Sequence, residues 1–501
     1  MRGGHTRTGV VPEAPPGGLR MASAQGRWVL FATVLGSAVV GIEATALNVA
    51  TPAIGEDFGA PLSSLQWVLN AYTLTLAGLL LLGGSLGDRY GRRRLLVIGV
   101  VWFAAASLLC AVAPNVETLI AARALQGVGG ALLTPGSLAI LQATFHRDDR
   151  AAAIGAWSGL GGVATAVGPL LGGYLVDSAS WRWIFVINLP VAAAVIVVAL
   201  RHVPETRDPA RVPLDPVGAA LAAIALAGVT YALIEGPGTG WGSPVVVVCL
   251  AGGLVALVAF LVVEHRSSHP MLPLGVFSSR QFTAANLVTL VVYAALGGAL
   301  FLLAIQLQQV VGYTALESGL ALLPLTIAML LLSARAGRLA QRIGPRAPMT
   351  VGPLGAAAGL ALMTRIDAGA GYVLDVLPAV LVFSLGLSLT VAPLTATVLA
   401  AAPDEQAGVA SGVNNDIARI GGLLAVAVLP PLAGISGADY LDPAAFSDGF
   451  TIAVWISAAL CAAGGVLAAL TIRRPLAETP APEPRFTCPV SGPPAAAAGR
   501  V

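Results

Sequence analysis

The amino-acid sequence predicts an all-α membrane protein with about fourteen transmembrane helices. Its composition is the first indication: 56% of the 501 residues are hydrophobic and only 10% are charged, whereas soluble domains carry about 25% charged residues. The second is a succession of apolar runs of roughly 20 residues, the length that a helix needs to cross a bilayer. The third is an uneven placement of arginine in the loops between these runs. Lipid must therefore be the solvent for most of the surface.

The apolar runs follow one another along the chain. Each is far longer than a strand of a membrane barrel and lacks its two-residue alternation, so each is predicted to be a helix. Glycine and alanine are abundant inside the runs, as expected where helix backbones approach closely in lipid. In chain order, the predicted spans are 28–50, 64–84, 95–113, 118–143, 151–176, 181–200, 214–235, 244–264, 282–310, 317–336, 346–365, 372–400, 407–434 and 450–472.

Arginine in the loops predicts which side of the membrane each loop faces. If the N terminus is cytoplasmic, nearly every loop on that side carries arginine, and the opposite side holds only Arg182 and Arg365. Cytoplasmic loops of membrane proteins have an excess of basic residues. We therefore expect an even number of spans, a bacterial-type plasma membrane and both termini in the cytoplasm.

One loop sequence occurs twice. GSLGDRYGRRR covers residues 84–94, and a weaker copy, GRLAQRIGPR, covers 337–346, with Gln341 where the first copy has Asp88. Each copy follows the second span of its half, so the chain reads as a tandem repeat of six-helix units, the architecture of secondary transporters. The predicted domains are a disordered cytoplasmic tail (1–26), an N-terminal six-helix bundle (27–203), two extra linker helices (204–270), a C-terminal six-helix bundle (271–473) and a second disordered tail (474–501).

Several segments resemble the motifs of one transporter family. They are Ile42–Ile54, the loop at 84–94, Arg123–Ser137, Ala164–Gly173 and Ser180–Pro190. On these segments the chain resembles a member of the major facilitator superfamily, in its fourteen-helix drug:proton antiporter branch. The resemblance extends over nearly the whole chain between the tails. It implies the major facilitator fold, two six-helix bundles plus two extra central helices, and export driven by a proton gradient.

Glu43 is an acidic residue within the first span, where the family motif usually has aspartate. An ionisable side chain inside the membrane is costly and indicates function by default. At 1.5 Å per residue, Glu43 lies roughly 22 Å from Trp28 and Arg123 about 8 Å from the outer end of span four, at similar depths. We therefore predict a Glu43–Arg123 contact if these helices are neighbours. Proton coupling is the favoured role of the pair, and a buried structural ion pair is the alternative.

The repeated loop offers a second candidate site. Asp88 beside Arg89 and the following arginines can form an ion pair on the cytoplasmic side. The resemblance implies a gate that holds one conformation, whereas the simpler interpretation is an anchor that sets topology. The candidate gating residues are Gly84, Asp88, Arg89, Gly91 and Arg92.

Span five contains glycines at helical spacing and a proline. Such a face permits close packing of helices, and this alone would explain it. The resemblance implies more, namely an antiporter motif that seals the outward route. The candidate residues are Gly168, Pro169, Gly172 and Gly173.

Span thirteen supplies candidates for a substrate pocket. Asp416 and Arg419 are three residues apart, so we expect them to pair on one helix face, and self-neutralisation is favoured over a role in coupling. Neighbouring amides and two aromatic side chains complete the predicted pocket, whose residues are Tyr72, Trp157, Asn414, Asn415 and Asp416.

The sequence favours export of hydrophobic or monocationic amphiphiles, such as drugs, antibiotics or secondary metabolites. Residues 318–337, nearly all of span ten, include no acidic residue to balance a dication. No Walker motif occurs, the net charge of +2 does not suggest nucleic acid, and the four cysteines lack metal-ligand spacing. We therefore expect no enzyme, ATP, metal or cofactor; the partners are protons, a small substrate and the bilayer. A proton-coupled uptake symporter of the same fold and a non-transporting membrane scaffold remain alternatives.

Overall fold

The computed structural model describes residues 18–207, 214–402, 407–437 and 439–473. Sixteen α-helices occur in these ranges. They are α1 (Ala24–Phe58), α2 (Leu62–Tyr90), α3 (Arg92–Ala111), α4 (Val116–Thr144), α5 (Arg147–Ser178), α6 (Trp183–Val186), α7 (Asn188–His202), α8 (Pro216–Thr239), α9 (Pro244–Arg266), α10 (Arg280–Ile305), α11 (Ala315–Ala321), α12 (Leu323–Ile343), α13 (Arg346–Met363), α14 (Leu377–Ala400), α15 (Ala407–Leu432) and α16 (Pro443–Thr471). Two π-helical turns, Gln306–Val310 and Tyr372–Val376, and two 3-10 turns, Leu274–Ser278 and Asp439–Leu441, flank some of them.

The helix ends carry the residues that usually stop or start a helix. Ser23 and Asn115 cap α1 and α4, and each side-chain oxygen accepts a backbone N–H from the first turn, at 3.0 and 2.9 Å. Side chains of this kind satisfy amides that have no partner within the helix. Gly59 ends α1 at a φ of 59°, a left-handed conformation that glycine adopts without steric cost. Local sequence therefore sets several of the boundaries.

Thirteen described helical segments are long and apolar enough to cross a membrane. The fourteenth predicted span, 346–365, corresponds to α13, which has 18 residues and begins at Arg346. Two prolines and the arginine lower its apolar character, so it falls outside that set. Yet α13 packs between α14 and α16, and Met349 and Leu360 are fully buried. The all-helical prediction is thus confirmed.

The helices pack in two groups. The N-terminal group comprises α1–α7, and the C-terminal group comprises α10–α16. Between them in sequence, α8 and α9 pack against each other, and α8 also contacts α2 of the first group and α15 of the second. Glycines permit close approach: a Cβ on Gly228 of α8 would clash with the backbone of α9 at Gly253, at 2.9 Å. α8 therefore lies along the seam where α2 meets α15, and α9 packs on α8.

Some predicted boundaries were wrong. The first helix begins at Ala24 and continues to Phe58, so Glu43 lies near its middle and not in its outer part. Residues 18–26 were assigned to a disordered tail, yet the Leu19 amide donates to the Thr144 carbonyl at 2.8 Å, and Arg20 pairs with Asp148 at 3.1 Å. These contacts hold the segment against the α4–α5 loop. Residues 1–17 and the tail at 474–501 lie outside the described residues.

Candidate functional site

Glu43 and Arg123 form an ion pair in the interior of the N-terminal group. Glu43 is 2% exposed on α1, Arg123 is 1% exposed on α4, and the guanidinium Nη1 donates to Glu43 Oε1. The predicted contact is confirmed. The helices bring the two charges together at a depth where neither reaches water, so each charge depends on the other for compensation.

Polar side chains from α4, α3 and α7 complete the site. Gln126 Nε2 donates to Glu43 Oε2 at 2.7 Å, and Asn188 Nδ2 donates to the same oxygen at 2.6 Å. Both amides also donate to Ser107 Oγ, at 2.7 and 3.2 Å. Every oxygen of the carboxylate therefore has a donor. A buried carboxylate that is fully hydrogen-bonded is held in one orientation.

The arginine is held on its other sides by backbone and aromatic groups. Its Nε donates to the Val68 carbonyl of α2 at 3.1 Å. Its guanidinium carbon lies 4.3 Å from the centre of the Tyr72 ring and 5.8 Å from that of Phe185. A cation over an aromatic face gains electrostatic attraction without water. Tyr72, predicted as a pocket residue, is instead 3% exposed and forms one wall of the arginine site.

Sequence reasoning missed Gln126, Asn188 and Ser107 as partners of Glu43. A signal existed for two of them, because Gln126 and Asn188 are polar residues inside segments that carry the family resemblance. Ser107 gave no such signal, because a lone serine in a membrane helix usually bonds to its own helix. Its hydroxyl does donate to the Phe103 carbonyl of α3 at 2.8 Å.

The loop between α2 and α3 holds the second candidate site. Asp88 pairs with Arg92, with 2.7 Å between Oδ1 and Nη2 and 2.8 Å between Oδ1 and Nε. Arg89 has no ion pair among the described residues and lies over the Tyr90 ring at 5.6 Å. Gly84 packs beside Pro135 of α4. The predicted ion pair thus exists, and both of its members belong to the N-terminal group.

A carboxylate from after α7 closes this loop. Glu205 Oε1 accepts the Arg93 amide at 3.1 Å, and its other oxygen lies 3.7 Å from Arg93 Nε. Gly91 has a φ of 116°, and a Cβ there would lie 2.7 Å from Glu205 Oε1. Glycine is therefore favoured at 91 by its conformation, and a larger residue would also displace the Glu205 carboxylate. Sequence reasoning missed Glu205; its only signal was that it is an acidic residue in an arginine-rich loop.

The glycine face of α5 contacts α1 on one side and the C-terminal group on the other. A Cβ on Gly168 would meet the Ile42 carbonyl at 2.6 Å, and one on Gly172 would meet Ala46 Cα at 2.8 Å. Gly173 packs on the Ala315 backbone of α11, and the Pro169 backbone lies against Gly319 of the same helix. The predicted motif therefore packs beside the turn of α1 that carries Glu43.

Contacts between the two groups gather toward one end of the helices. Hydrogen bonds across the boundary among the described residues join Gln66 to Val426 and Ala427, Leu62 to Gly437, Ala60 to Tyr440, Val49 to Gln308, Glu56 to Gln309, Asp177 to Ala315 and Leu316, and Ala166 to Thr326. Toward the other end of α5, a Cβ on Gly155 or Gly159 would meet nothing within 4 Å. The groups are thus in closest contact at one end. Toward the other end α5 has no close neighbour at these glycines, although Leu81 of α2 still lies beside Gly412 of α15.

The predicted pairing of Asp416 with Arg419 was wrong. No ion pair joins them among the described residues: Asp416 Oδ1 and Arg419 Nε are both buried without a hydrogen-bond partner. Asp416 is 8% exposed. Without a direct contact, the charge of Arg419 still acts through space on Asp416 and also on Tyr72 of α2. Spacing on a helix permits a pair, but the direction of each side chain is set by neighbouring helices.

The remaining pocket candidates differ in whether their polar groups are free to bind a substrate. Asn414 is buried and donates to Asn286 and Thr289 of α10, at 3.1 and 2.8 Å, so its amide hydrogens serve packing. Asn415 is exposed and bonds only to the Ser411 carbonyl of its own helix. Trp157 is half-buried, and its indole N–H donates to Ser37 at 3.1 Å. Of the described residues, no group of three or more His, Cys, Asp or Glu is placed to hold a metal.

Membrane-length helices in two groups around buried charges define an integral membrane protein of the transporter class. The family model described as Major Facilitator Superfamily matches residues 33–426. The chain therefore belongs to the major facilitator superfamily, and the resemblance inferred from its sequence motifs is confirmed.

Relatives of similar length carry resistance and export functions in their names. The chain is 37% identical to the puromycin resistance protein of Streptomyces alboniger, covering 88% of this chain and 90% of that one. It is 36% identical to the tetracenomycin C resistance and export protein of Streptomyces glaucescens, covering 85% and 78%. It is 33% identical to the multidrug efflux pump LfrA of Mycolicibacterium smegmatis, covering 80% of each.

Solved structures share the fold at low sequence identity. A proton-dependent oligopeptide transporter superposes with a TM-score of 0.65 at 16% identity, covering 89% of this chain and 98% of that one. A bacterial homologue of the human lysosomal transporter Spinster, captured inward-facing and unoccupied, gives a TM-score of 0.63 at 17% identity, covering 90% and 98%. Identity this low supports the shared fold alone.

Proposed function

We propose that this protein is a proton-driven antiporter that exports hydrophobic or monocationic amphiphilic compounds, such as drugs, antibiotics or secondary metabolites. It acts by alternating access across a bacterial-type plasma membrane, with both termini in the cytoplasm. The observation that carries the proposal is the buried carboxylate of Glu43, 2% exposed and bound to Arg123 within a membrane helix.

Protonation of Glu43 has a structural consequence. A proton on the carboxyl removes the negative charge that compensates Arg123, and a buried arginine without a counter-charge is strongly unfavourable. Arg123 then relies on Gln126 Oε1 at 2.5 Å, the Val68 carbonyl and the Tyr72 ring. Proton uptake therefore changes how tightly α1 is held to α4. A proton-coupled transporter needs a link of this kind between protonation and packing.

The α5 glycine face connects this site to the movement of the two groups. Gly172 packs on Ala46, one turn of helix from Glu43, while Gly173 packs on α11 of the C-terminal group. A change in the position of α1 is thus transmitted to the interface at the end of closest contact. In the topology that the arginine loops favour, that end is extracellular, so this conformation is inward-facing. Asp88–Arg92 and Glu205–Arg93 then lie at the opposite, cytoplasmic end, where the gating loop is held within its own group.

The substrate class follows from the charges near the space between the groups. Asp416 is a buried carboxylate with an unpartnered oxygen, and Asn415 is exposed nearby. One such carboxylate suits a monocation or a polar group on a neutral amphiphile. Tyr72 is held against Arg123, so of the two aromatic candidates the half-buried Trp157 on α5 is the one left for the substrate. The resistance and export functions named for several relatives support the export of antibiotic-like compounds.

The proposal is tested in everted membrane vesicles that hold an imposed pH gradient, acidic inside. Ethidium serves as a monocationic probe and puromycin as an antibiotic. Wild-type vesicles should accumulate both compounds, and collapse of the gradient should stop accumulation. Uptake in the opposite direction, into right-side-out vesicles with the gradient, would instead indicate a symporter.

The variant Glu43→Gln keeps the shape of the side chain and removes the proton site. It should lose gradient-driven accumulation, while binding of ethidium to the purified protein persists. Glu117→Gln is a matched control, because Glu117 is an exposed carboxylate on α4 without a described ion pair, and it should behave as wild type. If Glu43→Gln accumulates both compounds at the wild-type rate, Glu43 does not carry the coupled proton.

A further inference from the structure

A groove lies on the C-terminal group, away from the Glu43 site. It has a volume of about 610 Å³ and runs between α12 and α14, near the end of α12 that carries the second copy of the arginine loop. Its walls have two parts. The arginine triad consists of Arg335, Arg338 and Arg342, and the leucine wall consists of Leu332, Leu339, Leu385 and Leu389.

The arginine triad is not neutralised by the protein. The three side chains are exposed, and none forms a salt bridge with a described residue; Arg335 alone has a hydrogen bond, to the Leu331 carbonyl of its own helix. In the first copy of the loop, Asp88 pairs with Arg92. Gln341 occupies the matching place in the second copy. The first copy therefore contains a carboxylate that neutralises one of its arginines, and the second copy contains none. Arg335 and Arg338 also stand where the first half has Leu82 and Ser85, so the cationic surface is specific to the C-terminal half.

The groove faces away from the space between the two helix groups. Thr326 of α12 donates to the Ala166 carbonyl of α5 at 3.0 Å, which fixes the face that meets the N-terminal group. Arg335 follows about two and a half turns later, which places it on the opposite face of the helix. Leu339 and Leu385 are 40% and 48% exposed on the groove. In a membrane these side chains contact lipid.

We propose that this groove binds an anionic phospholipid of the cytoplasmic leaflet. The triad holds the headgroup phosphate, and an acyl chain lies along the leucine wall. Guanidinium groups donate paired hydrogen bonds to phosphate oxygens, and basic pockets between helices on the cytoplasmic side suit such headgroups. The cytoplasmic position rests on the topology proposed above. A soluble anion would use the triad but would leave the leucine wall uncovered, so the combination favours a lipid.

Lipid binding is measured on the full-length protein in detergent, by native mass spectrometry during titration with phosphatidylglycerol. Phosphatidylcholine with the same acyl chains is the zwitterionic comparison. Each arginine near a membrane surface contributes about fivefold in affinity for anionic lipid. Replacing all three by glutamine should therefore weaken phosphatidylglycerol binding roughly a hundredfold. Arg266→Gln is the matched control: Arg266 is exposed at the end of α9, away from the groove, and has no described ion pair.

A second variant tests the leucine wall with the charges intact. Leu385→Trp fills the groove from a lipid-exposed position, so the fold should tolerate it, and it should weaken phosphatidylglycerol binding at least fivefold. Inorganic phosphate at millimolar concentration should not displace the lipid. The proposal is overturned if the triple glutamine variant binds phosphatidylglycerol as tightly as Arg266→Gln does, if phosphatidylcholine binds wild type equally well, or if phosphate competes for the site, which would make the ligand a soluble anion.

Discussion

Gly172→Ala is expected to separate α5 from α1 beside the Glu43 site. The added Cβ would lie 2.8 Å from the Cα, the Cβ and the carbonyl oxygen of Ala46. Carbon atoms in contact prefer about 3.5–4.0 Å, so the helices must part by roughly 1 Å there. All three obstructing atoms belong to the backbone or to its first side-chain carbon, and none can rotate away. Overpacking of this kind costs about 1–3 kcal/mol.

Gly159→Ala on the same helix is the control for helix propensity. A Cβ at this position meets nothing within 4 Å, and alanine is favoured over glycine in a helix by about 1 kcal/mol. The two identical substitutions should thus move stability in opposite directions. The melting temperature of the purified protein in detergent should fall for Gly172→Ala and stay level or rise for Gly159→Ala.

A functional measurement accompanies the stability assay. Because Gly172 packs next to the turn that holds Glu43, Gly172→Ala should increase the substrate-independent leak of protons in vesicles that carry a pH gradient. The reasoning fails if the two variants shift the melting temperature equally, since contact with α1 would then contribute nothing. The reasoning also fails if Gly172→Ala lowers the melting temperature but leaves the pH gradient as stable as in wild type. The glycine face of α5 would then contribute to packing but not to blocking proton leak.

Three further outcomes are expected. Asp88→Ala should reduce ethidium transport at least tenfold at unchanged abundance in the membrane, checked by vesicle transport and immunoblotting; full transport would exclude a gating role. Arg123→Gln should destabilise the protein by about 3–5 kcal/mol because one buried charge is left alone, and the double variant with Glu43→Gln should melt above Arg123→Gln; additive losses would contradict the ion pair. Gly91→Ala should lower the melting temperature because the φ of 116° at this position is strained for alanine. Adding Glu205→Ala to that variant should restore only the part of the loss that comes from the clash with the Glu205 side chain.

Much of the architecture could be predicted because membrane insertion imposes strict rules on sequence. Spans must be long and apolar, so the helix count followed from local composition. The sorting of arginine between loops yields the predicted orientation. The positions of the helix ends were predicted least accurately. α1 continues past the apolar run to Phe58, and its last turn carries Asp57, which pairs with Arg182 at 2.7 Å, a contact between distant segments that composition does not reveal. The α13 span was predicted in spite of its prolines, and its burial against two neighbours explains why they are tolerated.

The candidate site was only partly predictable. Glu43 and Arg123 stood out because charges are rare inside spans, and depth along each helix suggested that they meet. Asp416 and Arg419 stood out in the same way, yet no salt bridge or hydrogen bond joins them among the described residues. Sequence spacing gives the angle between side chains on one helix, but it does not include the neighbouring helices that compete for them.

By itself the sequence determined the class of protein, the approximate spans, the repeated loop and the presence of an acidic residue and an arginine at matching depths. Tertiary structure decided which polar side chains share the Glu43 carboxylate, which arginines of the two loop copies find a carboxylate, and at which end the helix groups are in closest contact. The physical reason is the range of the forces involved. Partition into lipid acts on each residue separately, so composition alone predicts it. Ion pairing and close packing act over a few ångströms, between segments that only the folded chain brings together.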